Sequence, residues 1–263
     1  MKARASNILI TGASSGIGEA LALECARRGA CHLFLCGRNA ERLESIAGRC
    51  RELGAEVHPQ VLDVSDEAAA RDWVAACDAL APLELVLSNA GIGTGVENET
   101  NIRRTFAVNV NGNLNIALPA IERFRAQPGG RARRQIAITA SIAGYAPLST
   151  CPAYAATKAA MKSWALSFRK PLACEGIRMN VVCPGFIRSR ITDRNTCPMP
   201  FFMEAGKAAQ IILDRLDRNI GLIAFPWPMR LATWFLSICP WRLAEWISGI
   251  LPEKNSDAAN CSF

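Results

Sequence analysis

The chain has 263 residues, of which 50% are hydrophobic and 20% are charged, and this composition excludes a mainly disordered protein. Its 30 lysines and arginines exceed its 23 aspartates and glutamates, and the net charge of +7 favours anionic ligands or an anionic membrane surface. We infer no nucleic-acid partner from this charge. Residues 1–6 lack the apolar segment of a signal peptide behind them, so we expect a cytoplasmic protein.

Cysteine and histidine are not spaced like the ligands of a metal centre. The eleven cysteines form no Cys-x-x-Cys pair, and we interpret them as small core residues in a reducing compartment. The two histidines, His32 and His58, leave little for a Ser/His/Asp hydrolase or a histidine-rich metal site. We interpret each histidine as a packing or surface residue, and the sequence predicts no metal ligand.

Apolar runs of strand length alternate with segments of helix length along most of the chain. In chain order, the predicted strands are 7–10, 31–36, 56–62, 83–88, 135–139, 178–182 and 221–225. The predicted helices are 16–28, 40–53, 66–80, 101–125, 153–174 and 204–218. This alternation predicts an α/β fold of the Rossmann type, a doubly wound parallel sheet in three layers, as a single domain over residues 1–225. Residues 226–263 form an apolar, tryptophan-rich extension.

A glycine-rich turn, Thr11-Gly-Ala-Ser-Ser-Gly-Ile-Gly18, follows the first predicted strand and opens the first helix. Glycine tolerates positive φ, and the amino end of a helix offers free N–H groups, so the turn fits a pyrophosphate. The position of the turn between a strand and a helix predicts a dinucleotide site. The candidate cofactor-binding residues here are Gly12, Ser14, Ser15, Gly16, Ile17 and Gly18.

Arg38 stands at the end of the second strand, where an acidic residue would accept hydrogen bonds from the adenosine ribose. A guanidinium pairs with a 2′-phosphate and a carboxylate repels it, so Arg38 favours NADP(H) over NAD(H). An exposed arginine before a helix capped by Asn39 is the alternative, and it would leave the cofactor choice open. Asp63 and Val64, after the third strand, can hydrogen-bond the adenine amino group.

Tyr154 and Lys158 are four residues apart on a predicted helix and therefore share a face. An ammonium group stabilises a nearby phenolate, so we expect the pKa of Tyr154 to fall from about 10 toward neutrality. Ser141 follows a strand at the carboxyl edge of the sheet, where it can hold a substrate oxygen. Each residue taken singly is also consistent with an ordinary solvated surface.

Together, in this order and spacing, these residues resemble the short-chain dehydrogenase/reductase family from Asn7 to about Phe225. The resemblance also includes Asp63, Asn89-Ala-Gly91, Asn109, Tyr154-Ala-Ala-Thr-Lys158 and Pro184-Gly-Phe-Ile187. It implies that Tyr154 is the general acid/base, Lys158 lowers its pKa and binds the nicotinamide ribose, Ser141 orients the substrate oxygen, and Asn109 helps hold a proton-relay water. It further implies cofactor contacts at Asn89, Ala90, Gly91, Pro184, Gly185, Ile187 and Ser189, the last in place of the usual threonine.

The resemblance implies an oxidoreductase that transfers a hydride between nicotinamide and a small-molecule carbonyl or secondary alcohol. One alternative is a non-catalytic NADP(H)-binding regulatory or scaffold protein at a membrane surface, against which the intact Ser141, Tyr154 and Lys158 argue. Another is a sugar-nucleotide epimerase or dehydratase, which the chain length and the glycine spacing disfavour. A homodimer through the two long helices that contain Asn109 and Tyr154 is also implied.

Two further segments bear on the substrate and on partners. Residues 188–203 correspond to the family's mobile substrate lid, and their arginines, Met199 and two phenylalanines suggest an apolar or lipid-like substrate; simple lid packing explains them equally well. Residues 226–251 hold four of the six tryptophans, and Pro240 divides them into pieces shorter than the roughly 20 residues of a membrane span. Peripheral contact with the inner membrane face, a subunit contact and a cover over the substrate pocket remain open.

Overall fold

The computed structural model of the chain describes residues 5–127, 133–189 and 199–250. Within these residues, seven parallel strands form one sheet in the order β3-β2-β1-β4-β5-β6-β7. The strands are β1 Asn7–Thr11, β2 His32–Gly37, β3 Glu56–Val61, β4 Leu85–Ser88, β5 Gln135–Thr139, β6 Arg178–Pro184 and β7 Leu222–Phe225. The order reverses between β1 and β4, the position where such sheets bind ligands at the carboxyl ends of their strands.

Helices cover both faces of the sheet. They are α1 Gly16–Arg27, α2 Ala40–Glu52, α3 Glu67–Leu80, α4 Glu99–Phe106, α5 Gly112–Ala126, α6 Pro152–Cys174, α7 Ala205–Asp217, α8 Trp227–Ile238 and α9 Trp241–Ile250. Helices α1, α2 and α7 pack on one face, while α3, α5 and α6 pack on the other. The predicted single-domain Rossmann fold in three layers is confirmed.

Two hydrophobic clusters, one on each side of the sheet, explain why the strands are apolar without interruption. Successive strand side chains point to opposite faces, so Ile8 and Ile10 pack under α1 while Leu9 packs on the side of α3 and α5. All three are buried. Burial on both faces demands an apolar residue at almost every position of a central strand.

The predicted helical stretch over 101–125 is present, with a π-helical turn inside it. Helices α4 and α5 are joined by a π-helical turn, Ala107–Asn111, in which the Gly112 amide donates to the Ala107 carbonyl. This turn contains Asn109, whose side-chain oxygen accepts a hydrogen bond from the Ile92 amide at 2.8 Å. The prediction of a helical stretch over 101–125 is confirmed. The apolar periodicity did not indicate the π-helical turn inside it, where Asn109 is bonded to the loop after β4.

The extension beyond β7 forms α8 and α9, and residues 251–263 of the predicted extension lie outside the described residues. Every helix in the described ranges is too short or too polar to cross a membrane.

Candidate active site

The glycine-rich turn, Thr11 to Gly18, forms a cradle whose backbone conformation and close contacts require glycine. Gly12 and Gly16 have φ of +67° and +60°, the left-handed region that favours glycine. A Cβ on Gly18 would lie 2.1 Å from the Gly12 carbonyl oxygen. Ser15, at the N-cap of α1, makes no side-chain capping bond, so the amide groups of the first turn stay directed at the cradle. This geometry fits a dinucleotide pyrophosphate; Ile17 packs against the core beneath it.

Arg38 and Asp63 lie together where the adenosine end of a dinucleotide would bind. Arg38 Nη1 is 3.8 Å from Asp63 Oδ2, and both side chains are about half exposed. Burial raises the pKa of Asp63, but hydrogen bonds from Ser65 and the charge of Arg38 outweigh it, so the pKa lies below its usual value. Ser14 sits beside them, with its hydroxyl 2.9 Å from the position that a Cβ on Gly37 would take. Separately, the Asn39 side chain accepts from the Arg42 amide and caps α2.

Thr11, which ends β1, positions the loop after β4. Its hydroxyl accepts hydrogen bonds from the Asn89 and Ala90 amides, each at 2.9 Å. Its carbonyl oxygen accepts from Asn89 Nδ2 at 3.1 Å. A Cβ on Gly91 would lie 3.1 Å from Lys158 Nζ, so the loop runs directly over the catalytic candidates. Thr11 was not among the predicted site residues, although a hydroxyl at the end of an apolar strand is a readable signal.

Val64 follows Asp63 and is buried against α5. Its Cγ2 would be 2.6 Å from a Cβ on Gly112, and its carbonyl oxygen accepts a hydrogen bond from Asn115 Nδ2 at 3.0 Å. The strand end that carries Asp63 is therefore anchored to α5.

The turn after β6 closes the site from the side of the nicotinamide. Pro184 ends β6, and the Gly185 amide donates to the Phe225 carbonyl at 2.8 Å. Ile187 pairs with Met203 as an isolated parallel bridge, which joins the two ends of the predicted lid. A Cβ on Gly16 would lie 2.9 Å from Ser189 Cβ, so this turn reaches the phosphate cradle. Residues 190–198 of the lid lie outside the described residues.

Ser141, Tyr154 and Lys158 converge at the carboxyl edge of β5. Ser141 follows the strand and forms a side-chain hydrogen bond with Tyr154. Lys158 is 3% exposed, donates to the Thr139 carbonyl at 2.9 Å, and places its Nζ 5.7 Å from the centre of the Tyr154 ring. Helix α6 carries Tyr154 and Lys158 one turn apart, as their spacing predicts.

Asn109 is fully buried next to this group. Its Nδ2 donates to the Ile92 carbonyl at 2.9 Å and to Thr157 Oγ1 at 3.1 Å. Its Oδ1 and Lys158 Nζ would lie 3.3 Å and 3.1 Å from the same Cβ on Gly91, which makes the two side chains neighbours. The structure thus brings all four catalytic candidates into one place.

The pKa of Tyr154 differs from the expected one. Burial raises the pKa of Tyr154 to about 12, and the hydrogen bond with Ser141 offsets this only in part. Burial also lowers the pKa of Lys158 to about 8. The expected shift of Tyr154 toward neutrality was therefore wrong, because desolvation of the phenolate outweighs the effects that favour it. At neutral pH the phenol keeps its proton and is a proton donor.

Two residues near the site were missed. The Glu97 carboxylate accepts from the Ala153 amide at 3.1 Å, and so caps α6, whose N-cap residue Cys151 makes no side-chain capping bond. The buried hydroxyl of Tyr145 has no hydrogen-bond partner in the part of the chain that the structure describes. Lys162 Nζ lies 3.8 Å from the centre of the Tyr145 ring. Tyr145 is the other of the chain's two tyrosines and lies four residues after Ser141, a signal that was available.

A family model described as short chain dehydrogenase matches residues 6–198. An uncharacterized oxidoreductase of Myxococcus xanthus is 34% identical, over 88% of this chain and 92% of that protein. The 11-beta-hydroxysteroid dehydrogenase A of Sesamum indicum is 30% identical, over 95% of this chain and 78% of that protein. A solved short-chain dehydrogenase from Sphingobium yanoikuyae, in complex with NADPH, is 25% identical, with a TM-score of 0.76 over 97% of this chain and 98% of that chain.

The glycine cradle, the site at the sheet's switch point and these similarities agree. The chain belongs to the short-chain dehydrogenase/reductase family, whose members are oxidoreductases of CH–OH and C=O groups in small molecules and use a nicotinamide cofactor.

Proposed function

We propose that the protein is an NADP(H)-dependent enzyme that interconverts apolar, lipid-like ketones and secondary alcohols. The observation that carries this proposal is the hydrogen bond between Ser141 and a protonated Tyr154, beside a cradle shaped for a dinucleotide.

Each of the four catalytic residues has a chemical role in the proposal. The bound nicotinamide cofactor supplies the two-electron chemistry at the substrate carbon. Tyr154 donates its proton to the carbonyl oxygen, and Ser141 donates a hydrogen bond that orients the same oxygen. Lys158, held by Thr139, supplies positive charge that limits the cost of a phenolate after transfer. Asn109 is held by Ile92 and Thr157 beside Lys158, where it helps keep a proton-relay water.

The preference for NADP(H) rests on Arg38. Its half-exposed guanidinium follows the end of β2, and its present partner Asp63 lies 3.8 Å away, beyond hydrogen-bond distance. A 2′-phosphate can therefore take up charge-assisted hydrogen bonds from Arg38 without breaking a tight ion pair.

The proposal of an apolar substrate is supported by the side chains that line the site. Met229, near the start of α8, has its Sδ 3.1 Å from the position of a Cβ on Gly185, and Ile142 also reaches this position. Phe201 and Phe202, at the end of the lid, are 58% and 38% exposed. A relative named for a steroid, the 11-beta-hydroxysteroid dehydrogenase A of Sesamum indicum, supports an apolar substrate of this kind.

We further propose that residues 226–251 of the extension make a peripheral contact with an anionic lipid bilayer, on the inner face of the membrane. Exposed apolar side chains of α8 fall on one face of the helix: Trp227, Leu231, Trp234, Phe235 and Ile238. Arg230 and Arg242 are exposed, and Glu245 is the one acidic residue of 226–251. This combination of tryptophan, aliphatic and basic side chains suits an interfacial helix. The same helix touches the substrate side through Met229, so a lipid-like substrate would enter from the bilayer.

We also propose a homodimer formed by α5 and α6. Leu118 of α5 is 42% exposed, and Trp164 and Phe168 of α6 form a half-buried aromatic pair with ring centres 5.8 Å apart. A second copy of the chain would bury these side chains across a two-fold axis. Light scattering of the purified protein at micromolar concentration should give twice the chain mass.

The decisive test replaces Tyr154 by phenylalanine. We expect Tyr154→Phe to bind NADPH as the wild type does and to lose most of its turnover with long-chain ketones, because only the proton donor is removed. The assay follows NADPH oxidation over ketones graded from short and polar to long and apolar. Equal turnover in the variant would refute the catalytic assignment. Tight NADPH binding by the wild type with no turnover on any carbonyl would favour a binding or scaffold protein.

A further inference from the structure

The two histidines of the chain, 26 positions apart in sequence, meet at the amino edge of the sheet. His32 begins β2 and Glu56 begins β3, and these two residues are directly opposite in the parallel register. His58 is two positions beyond Glu56, so it points to the same face of β3. The fold therefore places two imidazoles and a carboxylate side by side.

The ligand atoms of the three side chains are about as far apart as those of a tetrahedral metal site, with the two Glu56 distances ending on different carboxylate oxygens. His32 Nδ1 is 3.4 Å from His58 Nε2 and 3.6 Å from Glu56 Oε2, and His58 Nε2 is 3.3 Å from Glu56 Oε1. Zinc binds nitrogen and carboxylate oxygen at about 2.0–2.2 Å, so neighbouring ligands of a tetrahedral ion are about 3.3–3.6 Å apart. All three separations fall within this range.

We propose that His32, Glu56 and His58 bind a divalent transition-metal ion of the zinc type, with water in the fourth position. Two imidazoles and a carboxylate are a donor set that suits zinc. The site lies at the opposite edge of the sheet from the cofactor cradle, which rules out a part in the hydride chemistry. Its role is to fasten β3, the edge strand, to β2.

Arg51, near the end of α2, is a positive charge close to the proposed ligands. The Arg51 guanidinium donates hydrogen bonds to the Glu44 carboxylate and to the Val57 carbonyl, and not to the proposed ligands.

Phe34 supports both rings from the core side. Its ring centre lies 4.9 Å from that of His58 and 6.3 Å from that of His32. The two imidazole planes are within 16° of parallel, so a shared ion requires each ring to turn about its Cβ–Cγ bond until both lone pairs meet. The histidine side chains are each 28% exposed, and the side chain of Glu56 is 63% exposed, which leaves room for this turn.

The test uses the full chain without a histidine tag, stripped with a chelator and then titrated with zinc chloride against a competing indicator. We expect one zinc ion per chain, a higher unfolding temperature with the ion, and a tetrahedral spectrum after cobalt substitution without thiolate charge-transfer bands. His58→Ala and the milder Glu56→Gln should each raise the dissociation constant at least about tenfold. Glu56 is exposed, so Glu56→Gln keeps the fold and leaves the test interpretable.

A neighbouring thiol provides the matched control. Cys31 is exposed and directly precedes His32, so Cys31→Ser removes the nearest competing ligand while sparing the proposed set. Zinc affinity should survive Cys31→Ser. Loss of binding in Cys31→Ser, unchanged binding in Glu56→Gln and His58→Ala, or no wild-type binding at micromolar zinc would each overturn the proposal. NADPH binding should be the same in every variant.

Discussion

Arg38 and Asp63, which follow the neighbouring strands β2 and β3, face each other with Nη1 and Oδ2 3.8 Å apart. The separation is too long for a hydrogen bond and short enough for the carboxylate to hold the guanidinium in place. In the proposed cofactor site, Arg38 would bind the 2′-phosphate and Asp63 the adenine.

Replacing Arg38 tests this arrangement. Arg38→Ala should raise the KM for NADPH by roughly 10- to 100-fold, since a hydrogen bond to a charged group contributes about 1.5–3 kcal/mol. The KM for NADH should change little, because NADH lacks the phosphate. Steady-state kinetics with both cofactors measures the ratio, with Arg71→Ala on the exposed face of α3 as control. A parallel loss with both cofactors would contradict the assignment of Arg38.

Alanine substitutions at two glycines, one in the cradle and one in α2, should have opposite effects. Gly18→Ala should lower NADPH affinity at least about 100-fold, because its Cβ would lie 2.1 Å from the Gly12 carbonyl oxygen. Gly48, inside α2, has open space around a Cβ, and Gly48→Ala should raise the free energy of unfolding by about 1 kcal/mol. Fluorescence titration with NADPH and urea unfolding measure the two effects. Normal NADPH affinity in Gly18→Ala would show that the turn does not hold the pyrophosphate.

The pKa of Lys158 predicts how the rate depends on pH. Burial lowers this pKa to about 8, so the ammonium charge beside Tyr154 is lost progressively above that pH. We expect ketone reduction at saturating NADPH to be level from about pH 6 to 7.5 and to fall above about pH 8. Lys158→Arg keeps its charge, so its lower rate should show a flat profile. A wild-type rate that stays level to about pH 9.5 would exclude this role.

The buried thiols predict loss of stability in alkali. Burial raises the pKa of Cys25, Cys36 and Cys183 to about 12 from a usual value of 9.0. Above about pH 9 the unfolded chain releases these protons while the folded chain keeps them, so the free energy of unfolding falls as pH rises. The expected slope is roughly 1.4 kcal/mol per pH unit for each thiol.

Urea unfolding at several pH values between about 8 and 10.5 measures this slope. Lys158 acts in the opposite direction over that range, because its lowered pKa makes the unfolded chain bind the extra proton, but it is one group against several. Cys25→Ala should make the slope less steep, whereas Cys174→Ala, at an exposed position, should leave it unchanged. A slope that Cys25→Ala does not alter would count against the prediction.

The exposed face of α8 predicts binding to anionic vesicles. Wild-type protein should sediment with phosphatidylglycerol vesicles, and replacement of both Trp234 and Phe235 by serine should weaken binding at least about tenfold, because these side chains are 49% and 55% exposed. Ala232→Ser, on another face of α8, should bind as the wild type does. Absence of vesicle binding would overturn the membrane proposal. If the double variant then had a smaller mass in solution, a subunit contact would replace it.

Several local motifs could be identified from the sequence alone. The glycine turn, Arg38 and the Tyr154–Lys158 spacing each depend on neighbours within a few residues, so the fold class and most candidate residues of the site could be predicted. The π-helical turn at Asn109 could not, since no local pattern marks it and Asn109 is held by the Ile92 amide, 17 positions away. The role of Thr11 was missed for the same reason, since its partners are Asn89 and Ala90.

The sequence by itself determined the order of strands and helices and the position of the cradle, because short-range periodicity and turn chemistry encode them. It gave the catalytic candidates through their resemblance to the family. Only the tertiary structure decided how these groups ionise, since the pKa values of Tyr154 and Lys158 depend on burial by distant segments. It also decided that His32 meets His58, because the register of β2 against β3 is a property of the assembled sheet.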